Sequence, residues 1–97
     1  MYNLFETDEY IKSINKLQKR DKVLVHSKLR DYVYPQIKSD PHFGINIKKL
    51  KGYTPNTWRY RIGNFRVFYT IDEDDKLVLL LIVENRDKAY RKNFNVY

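Results

Sequence analysis

"NTWRYRIGNFRVFY", residues 56–69, is the stretch on which the fold turns. Trp58, Tyr60 and Ile62 alternate with Arg59 and Arg61, Gly63-Asn64 is a two-residue hairpin signal, and Phe65 opens a second alternating run. That pattern reads as an antiparallel hairpin. With Gly63-Asn64 as the loop, Ile62 faces Phe65 and Arg61 faces Arg66, and Arg59 lies on the same side two residues back. Like charges directly opposite cost about 0.2–1 kcal/mol. A set of unpaired guanidinium groups is a liability in an empty site and an asset when an anion fills it, and phosphate oxygens match the guanidinium fork. The competing reading has these arginines lying along the aromatic side chains or pairing with an acid from elsewhere in the fold. Trp58 and Tyr60, like Phe65, Tyr69 and Ile71, fall on the side away from the arginines and read as core, with base stacking as the alternative for Trp58 and Tyr60.

Downstream, "DEDD" at 72–75 reads as a turn, and "KLVLLLIVE" at 76–84 as a strand apolar on both faces, hence central and covered on both sides. Its far end returns to the hairpin tip and brings Arg86 with it. Upstream, a short first element runs into a helix with Thr7 as N-cap, Asp8 and Glu9 in the first turn, and Tyr10 or Ile11, Ile14 and Leu17 on one face. After a turn at Lys19-Arg20-Asp21, Val25, Leu29, Tyr32 and Val33 stand at helical spacing, and Pro35 is expected to kink or end that helix. "SDPHFG" at 39–44 reads as loop. The sum is an α+β fold: an N-terminal helical hairpin packed on one face of a small twisted antiparallel sheet, with a short C-terminal helix or tail.

The 97 residues are enough for one modest core, so 1–97 reads as a single domain. At 42% hydrophobic with nine tyrosines and five phenylalanines the chain is globular rather than disordered. Disulfide and thiolate chemistry are excluded, because there is no cysteine. The longest apolar run, at 77–83, is far too short to span a membrane, and "MYNLFETDEY" lacks the layout of a secretory signal, so a cytoplasmic location is expected. The net charge of +7 is uneven: from Pro41 to Ile71 there is no acid, while Lys48, Lys49, Lys51, Arg59, Arg61 and Arg66 all fall inside. Such a window either recruits a polyanion or is an ordinary solvated basic face. His26 and His42 are far apart and read as structural or solvated, and no His/Asp/Glu set has metal-ligand spacing.

Residues 50–91, "LKGYTPNTWRYRIGNFRVFYTIDEDDKLVLLLIVENRDKAYR", resemble the core of the RelE/ParE toxin superfamily. The shared features are a basic "LKG", an "RxRxGxxRVxY" hairpin, an acidic turn, an apolar strand and a closing "R-x-x-x-Y". The RelE branch cleaves messenger RNA on the ribosome, whereas the ParE branch inhibits DNA gyrase. Arg86 and Tyr90 match the terminal motif of the RelE branch, and Arg59, Arg61 and Arg66 match its hairpin. The resemblance therefore implies a toxin held by a cognate antitoxin, acting on messenger RNA in the ribosome without metal, cofactor or membrane; a gyrase inhibitor of the ParE type and a catalytically inactive basic binding module are the alternatives. In that chemistry a ribose 2′-hydroxyl attacks the adjacent phosphorus and leaves a 2′,3′-cyclic phosphate. Arg59, Arg61, Arg66, Arg86 and Tyr90 become the candidate catalytic residues, and Lys48, Lys49, Lys51 and Arg91 the candidate RNA-binding ones. Many relatives carry histidine just before the terminal arginine. This chain has Asn85 there, which takes no proton, so Tyr90 is left as general base, its phenolate favoured by surrounding arginines.

Overall fold

The structure, a computed structural model, describes residues 1–86. Strand β1 (Asn3–Glu6) leads into helix α1 (Asp8–Asn15); a second helical arm runs through α2 (Lys19–Lys28), a π turn (Leu29–Val33) and α3 (Tyr34–Ser39). Four more strands follow: β2 (Ile47–Lys49), β3 (Thr57–Ile62), β4 (Phe65–Asp72) and β5 (Leu77–Asn85). They form one five-stranded sheet in the order β1-β5-β4-β3-β2. Among the described residues no helix is long and apolar enough to cross a membrane.

Local chemistry explains the helical arms. Thr7 caps α1, its Oγ1 accepting the Tyr10 N–H at 3.2 Å and its hydroxyl donating to the Leu80 carbonyl at 2.6 Å, so one side chain both starts the helix and ties it to β5. Ser13 repeats the device: the Val83 N–H donates to its Oγ at 2.9 Å while its hydroxyl donates to the Tyr10 carbonyl. Tyr10, not Ile11, takes the core position, being fully buried where Ile11 is exposed. The second arm starts at Lys19, two residues before the expected Asp21, and Lys19 and Arg20 lie inside it rather than in the turn. Pro35 does not end it. Proline has no N–H and crowds the carbonyl four residues back; the chain widens instead, the Tyr34 N–H reaching five residues back to Leu29, and the helix continues to Ser39.

The sheet is mixed rather than antiparallel, because β1 runs parallel to β5, with Leu4 beside Val78 and Phe5 beside Leu79. Strand β2, at the other edge, lies where the sequence suggests only loop. Three residues carry too little periodicity to read, and their pairing with β3 is a long-range event.

Tyr10, Ile14, Val25, Leu29, Val33 and Ile37 from the helices meet Tyr60, Ile62, Phe65, Val67, Tyr69, Val78, Leu80 and Val83 from the sheet, and all of them are buried. β5 is central, but it is fully covered on this face only. On the other face Leu77, Leu79, Leu81 and Ile82 are half-buried. A shift of register explains the unbroken apolar run: Phe68 pairs with Ile82 but Tyr69 with Leu80, so Leu81 is an extra residue and the inward set changes phase from Val83 to Leu80. The expected C-terminal helix or tail lies outside the described residues.

Candidate nucleic-acid interface

The β3–β4 hairpin turns as its residues demand. Gly63, at φ +52, takes the left-handed first position of a II′-type turn, and Asn64 follows without a positive φ. Ile62 therefore pairs with Phe65 and Arg61 with Arg66, while Arg59 pairs with Phe68. Since Tyr60, Ile62, Phe65 and Val67 are buried in the core, the intervening Arg59, Arg61 and Arg66 share the face turned away from the helices.

Arg86 joins them from the end of β5. Phe65 pairs with Asn85, and the Arg86 N–H donates to the Asn64 carbonyl, which pins the residue to the hairpin turn. The proximity is electrostatically visible at Arg59: burial first, and then the positive charges of Arg66, Arg61 and Arg86, hold its guanidinium below the usual arginine range. It stays cationic even so. Arg59 is oriented by the chain itself, its Nη1 donating to the Asn46 carbonyl at 2.9 Å, the same oxygen that accepts the Arg61 backbone N–H at 2.9 Å. The four arginines are thus gathered, and none forms an ion pair among the described residues. Two acids share their face by register: Glu84, the cross-strand neighbour of Arg66, and Asp72 at the far end of β4.

The basic residues upstream divide. Lys48 pairs with Arg59 and extends the arginine face toward the sheet edge. Lys49 points the other way, its ammonium 5.8 Å from the Trp58 ring centroid, so the structure separates it from the arginines. Lys51 is exposed in the turn beyond β2. Tyr90 and Arg91 lie outside the described residues. Tyr60 is core, as its alternation implies, and Trp58 and Ile71 are partly buried against that core.

The histidines also part company. His26 is exposed on α2. His42 is held between two carboxylates, Nδ1 at 3.2 Å from Asp40 and Nε2 at 2.6 Å from Glu73, with the Trp58 ring edge-on at 5.4 Å. Among the described residues no three His, Asp or Glu side chains converge as metal ligands.

A family model described as the ParE toxin of type II toxin–antitoxin systems matches residues 6–90. The chain belongs to this ParE toxin family. The family sits within the RelE/ParE superfamily, and the solved relatives include chains with RelE names and one named a YoeB/ParE toxin. A Methanocaldococcus jannaschii protein whose name assigns it to the RelE toxins is 37% identical over 51 residues, 53% of this chain and 56% of that protein, so the match spans little more than half of the relative's length. The toxin–antitoxin complex RelBE2 of Mycobacterium tuberculosis contains a chain similar in fold, with a TM-score of 0.68 at 24% identity, covering 88% of this chain and 98% of that one. The isolated E. coli RelE toxin is similar at a TM-score of 0.64 and 19% identity over 98% and 97% of the two chains. At these identities the likeness is one of fold.

Within this ParE-family chain, two participants of the face escape the sequence reading. The Asn46 carbonyl that orients Arg59 is a backbone atom in an unremarkable loop and leaves no trace in residue type. Glu84 is visible as an acid closing β5, but its position across from Arg66 depends on the shifted register at Leu81, which alternation counted along the strand does not reveal.

Proposed function

We propose that this chain is the toxin of a type II toxin–antitoxin pair and a metal-independent endoribonuclease that cuts messenger RNA on the ribosome. The observation that carries the reading is the convergence of Arg59, Arg61, Arg66 and Arg86 on one sheet face without an ion pair among the described residues. A phosphodiester seated there meets preorganised donors aimed at the oxygens on which charge develops. The 2′-oxygen attacks phosphorus, the phosphorane forms, and the bond to the 5′-oxygen breaks, leaving a 2′,3′-cyclic phosphate and a 5′-oxygen that takes a proton from water to become the 5′-hydroxyl. Arg66 is the principal stabiliser of the phosphorane, with Arg59 and Arg61 beside it. Arg86 steadies the departing oxygen by charge rather than by giving up a proton, since arginine holds its proton above a pKa of about 12. Tyr90 is assigned the 2′-hydroxyl proton from the sequence motif alone. Lys48, Lys51 and Arg91 hold the backbone of messenger or ribosomal RNA. The antitoxin of the solved M. tuberculosis complex supports a cognate antitoxin as partner, one presenting acidic chemistry to this face.

A second reading is a gyrase inhibitor. The name of the matching family model and Asn85 in place of a proton-accepting histidine favour it. Mapping messenger RNA 5′ ends after induction separates the two. New ends within translated transcripts, abolished by Arg66→Ala, are expected; intact transcripts together with loss of DNA supercoiling would decide for the gyrase target.

A further inference from the structure

Around the edge of β3 from the arginine face lies a cleft of about 470 Å³, between the second helical arm and the loop ahead of β2. We infer that this cleft receives an unpaired nucleotide of the same RNA strand, the base against Tyr32 and the phosphate at Lys28 and Arg61. This inference rests on the RNA reading above and names a further contact for it.

Three observations carry it. The first is charge. Lys28, Tyr32, Gln36, Ile45, Asn46 and Arg61 line the cleft, and its walls contain two cations and no carboxylate. Two other clefts among the described residues include Glu9, Asp21 and Glu84 in one case and Glu6 in the other. The acid nearest in sequence, Asp31, is held by Arg30 at 2.8 Å. The occupant that suits this cleft is anionic.

The second is an aromatic ring standing open. Helical spacing assigns Tyr32 to the core, yet it is 60% exposed, because the widened turn rotates the arm and Val33 takes the buried place. The Lys28 ammonium stands 4.9 Å from the Tyr32 ring centroid. A nucleotide satisfies both groups at once, its base stacking on the ring and its phosphate drawing the ammonium. Ile45, fully exposed, adds an apolar wall, and the amides of Gln36 and Asn46 offer hydrogen bonds to a base edge. Gln36 is held in place there: the Tyr60 hydroxyl donates to its Oε1 at 2.7 Å, and its Nε2 packs so closely on Gly44 that a Cβ there would stand 1.9 Å away.

The third is continuity. Asn46 lines the cleft with its own residue while its carbonyl holds Arg59 and the Arg61 N–H on the other side. Arg61 itself belongs to both. A strand bound at the arginines therefore has only the edge of β3 to cross, and a peptide with an acidic side chain would gain the charge but not the stacking.

The test uses the full chain and fluorescein-labelled oligoadenylate and oligouridylate at low salt, read by anisotropy. Tyr32→Ala is expected to weaken binding about tenfold, more for the purine strand, with Tyr32→Phe restoring it and thermal melting unchanged. RNA carrying 4-thiouridine should photocrosslink to Tyr32 in the wild type. Wild-type affinity in Tyr32→Ala, alongside weakened binding in Arg66→Ala, would overturn the cleft and leave the endoribonuclease reading standing. A wild type that neither binds nor cuts RNA would overturn both.

Discussion

Two ends of the same sheet treat their basic side chains in opposite ways. At the hairpin tip, Arg61 is set directly against Arg66, the charges of Arg66, Arg61 and Arg86 add to burial in lowering the proton affinity of Arg59, and no ion pair relieves the four among the described residues. At the other end His42 lies between Asp40 and Glu73, and the Tyr2 hydroxyl also donates to Glu73 at 3.2 Å. There the imidazole joins the loop after α3 to the turn after β4. The fold brackets its basic ring with carboxylates at one end and leaves four guanidinium groups without an ion pair among the described residues at the other.

The sharpest way to break that contrast is Arg66→Ala. If the tip exists to stabilise a phosphorane, single-turnover cleavage of ribosome-bound messenger RNA should fall by roughly 10² to 10³, the loss typical of one positioned donor, with the melting curve retained. An unchanged rate would make the tip an ordinary basic face. Tyr69→Phe probes the structural end of the comparison. Its hydroxyl donates to the Pro41 carbonyl at 2.7 Å in a buried setting, and removing it leaves that carbonyl unpaired, so denaturant titration should register a loss of about 1–3 kcal/mol with cleavage per folded molecule intact.

Arg61→Thr refines the contrast further, because it should raise stability while lowering RNA affinity. The gain expected from relieving the cross-strand repulsion is about 0.2–1 kcal/mol, readable as a shift of the urea midpoint. A variant that loses both stability and affinity would mean Arg61 is held by the fold after all. The smallest effect belongs to His42→Ala. His42 holds the Asp40 and Glu73 carboxyls below their ordinary range, Asp40 chiefly through the backbone N–H of His42 and Glu73 chiefly through its ring. The stability they contribute is therefore complete above the ordinary carboxylate range, roughly pH 4 to 5, and is lost as pH falls through their lowered values. Removing the ring should flatten the acid arm of stability against pH between about 5 and 2, most clearly at the Glu73 end.

Much of this was legible in residue order because it depends on neighbours close along the chain. The Gly63-Asn64 turn sets the hairpin register, and the register alone brings the three arginines to one side. Thr7 caps its helix through an N–H three residues away. Pro35, expected to kink or end its helix, does not end it, because the helix widens just ahead of it, the Tyr34 N–H reaching five residues back to Leu29, and Tyr32 in that widened turn stands exposed. Lys49 misleads for a similar reason: the window without acids holds it beside Lys48, but successive strand residues point to opposite faces.

By itself the sequence determined the hairpin, its crowded arginines and the alternation that buries Tyr60 and Ile62, since these follow from turn chemistry and a two-residue period. Only the tertiary structure decided the parallel partner of β5, the edge strand β2, the extra residue at Leu81 and the clamp around His42. Each of these joins segments far apart in the chain, where the choice of partner is made by the shared core rather than by anything written locally.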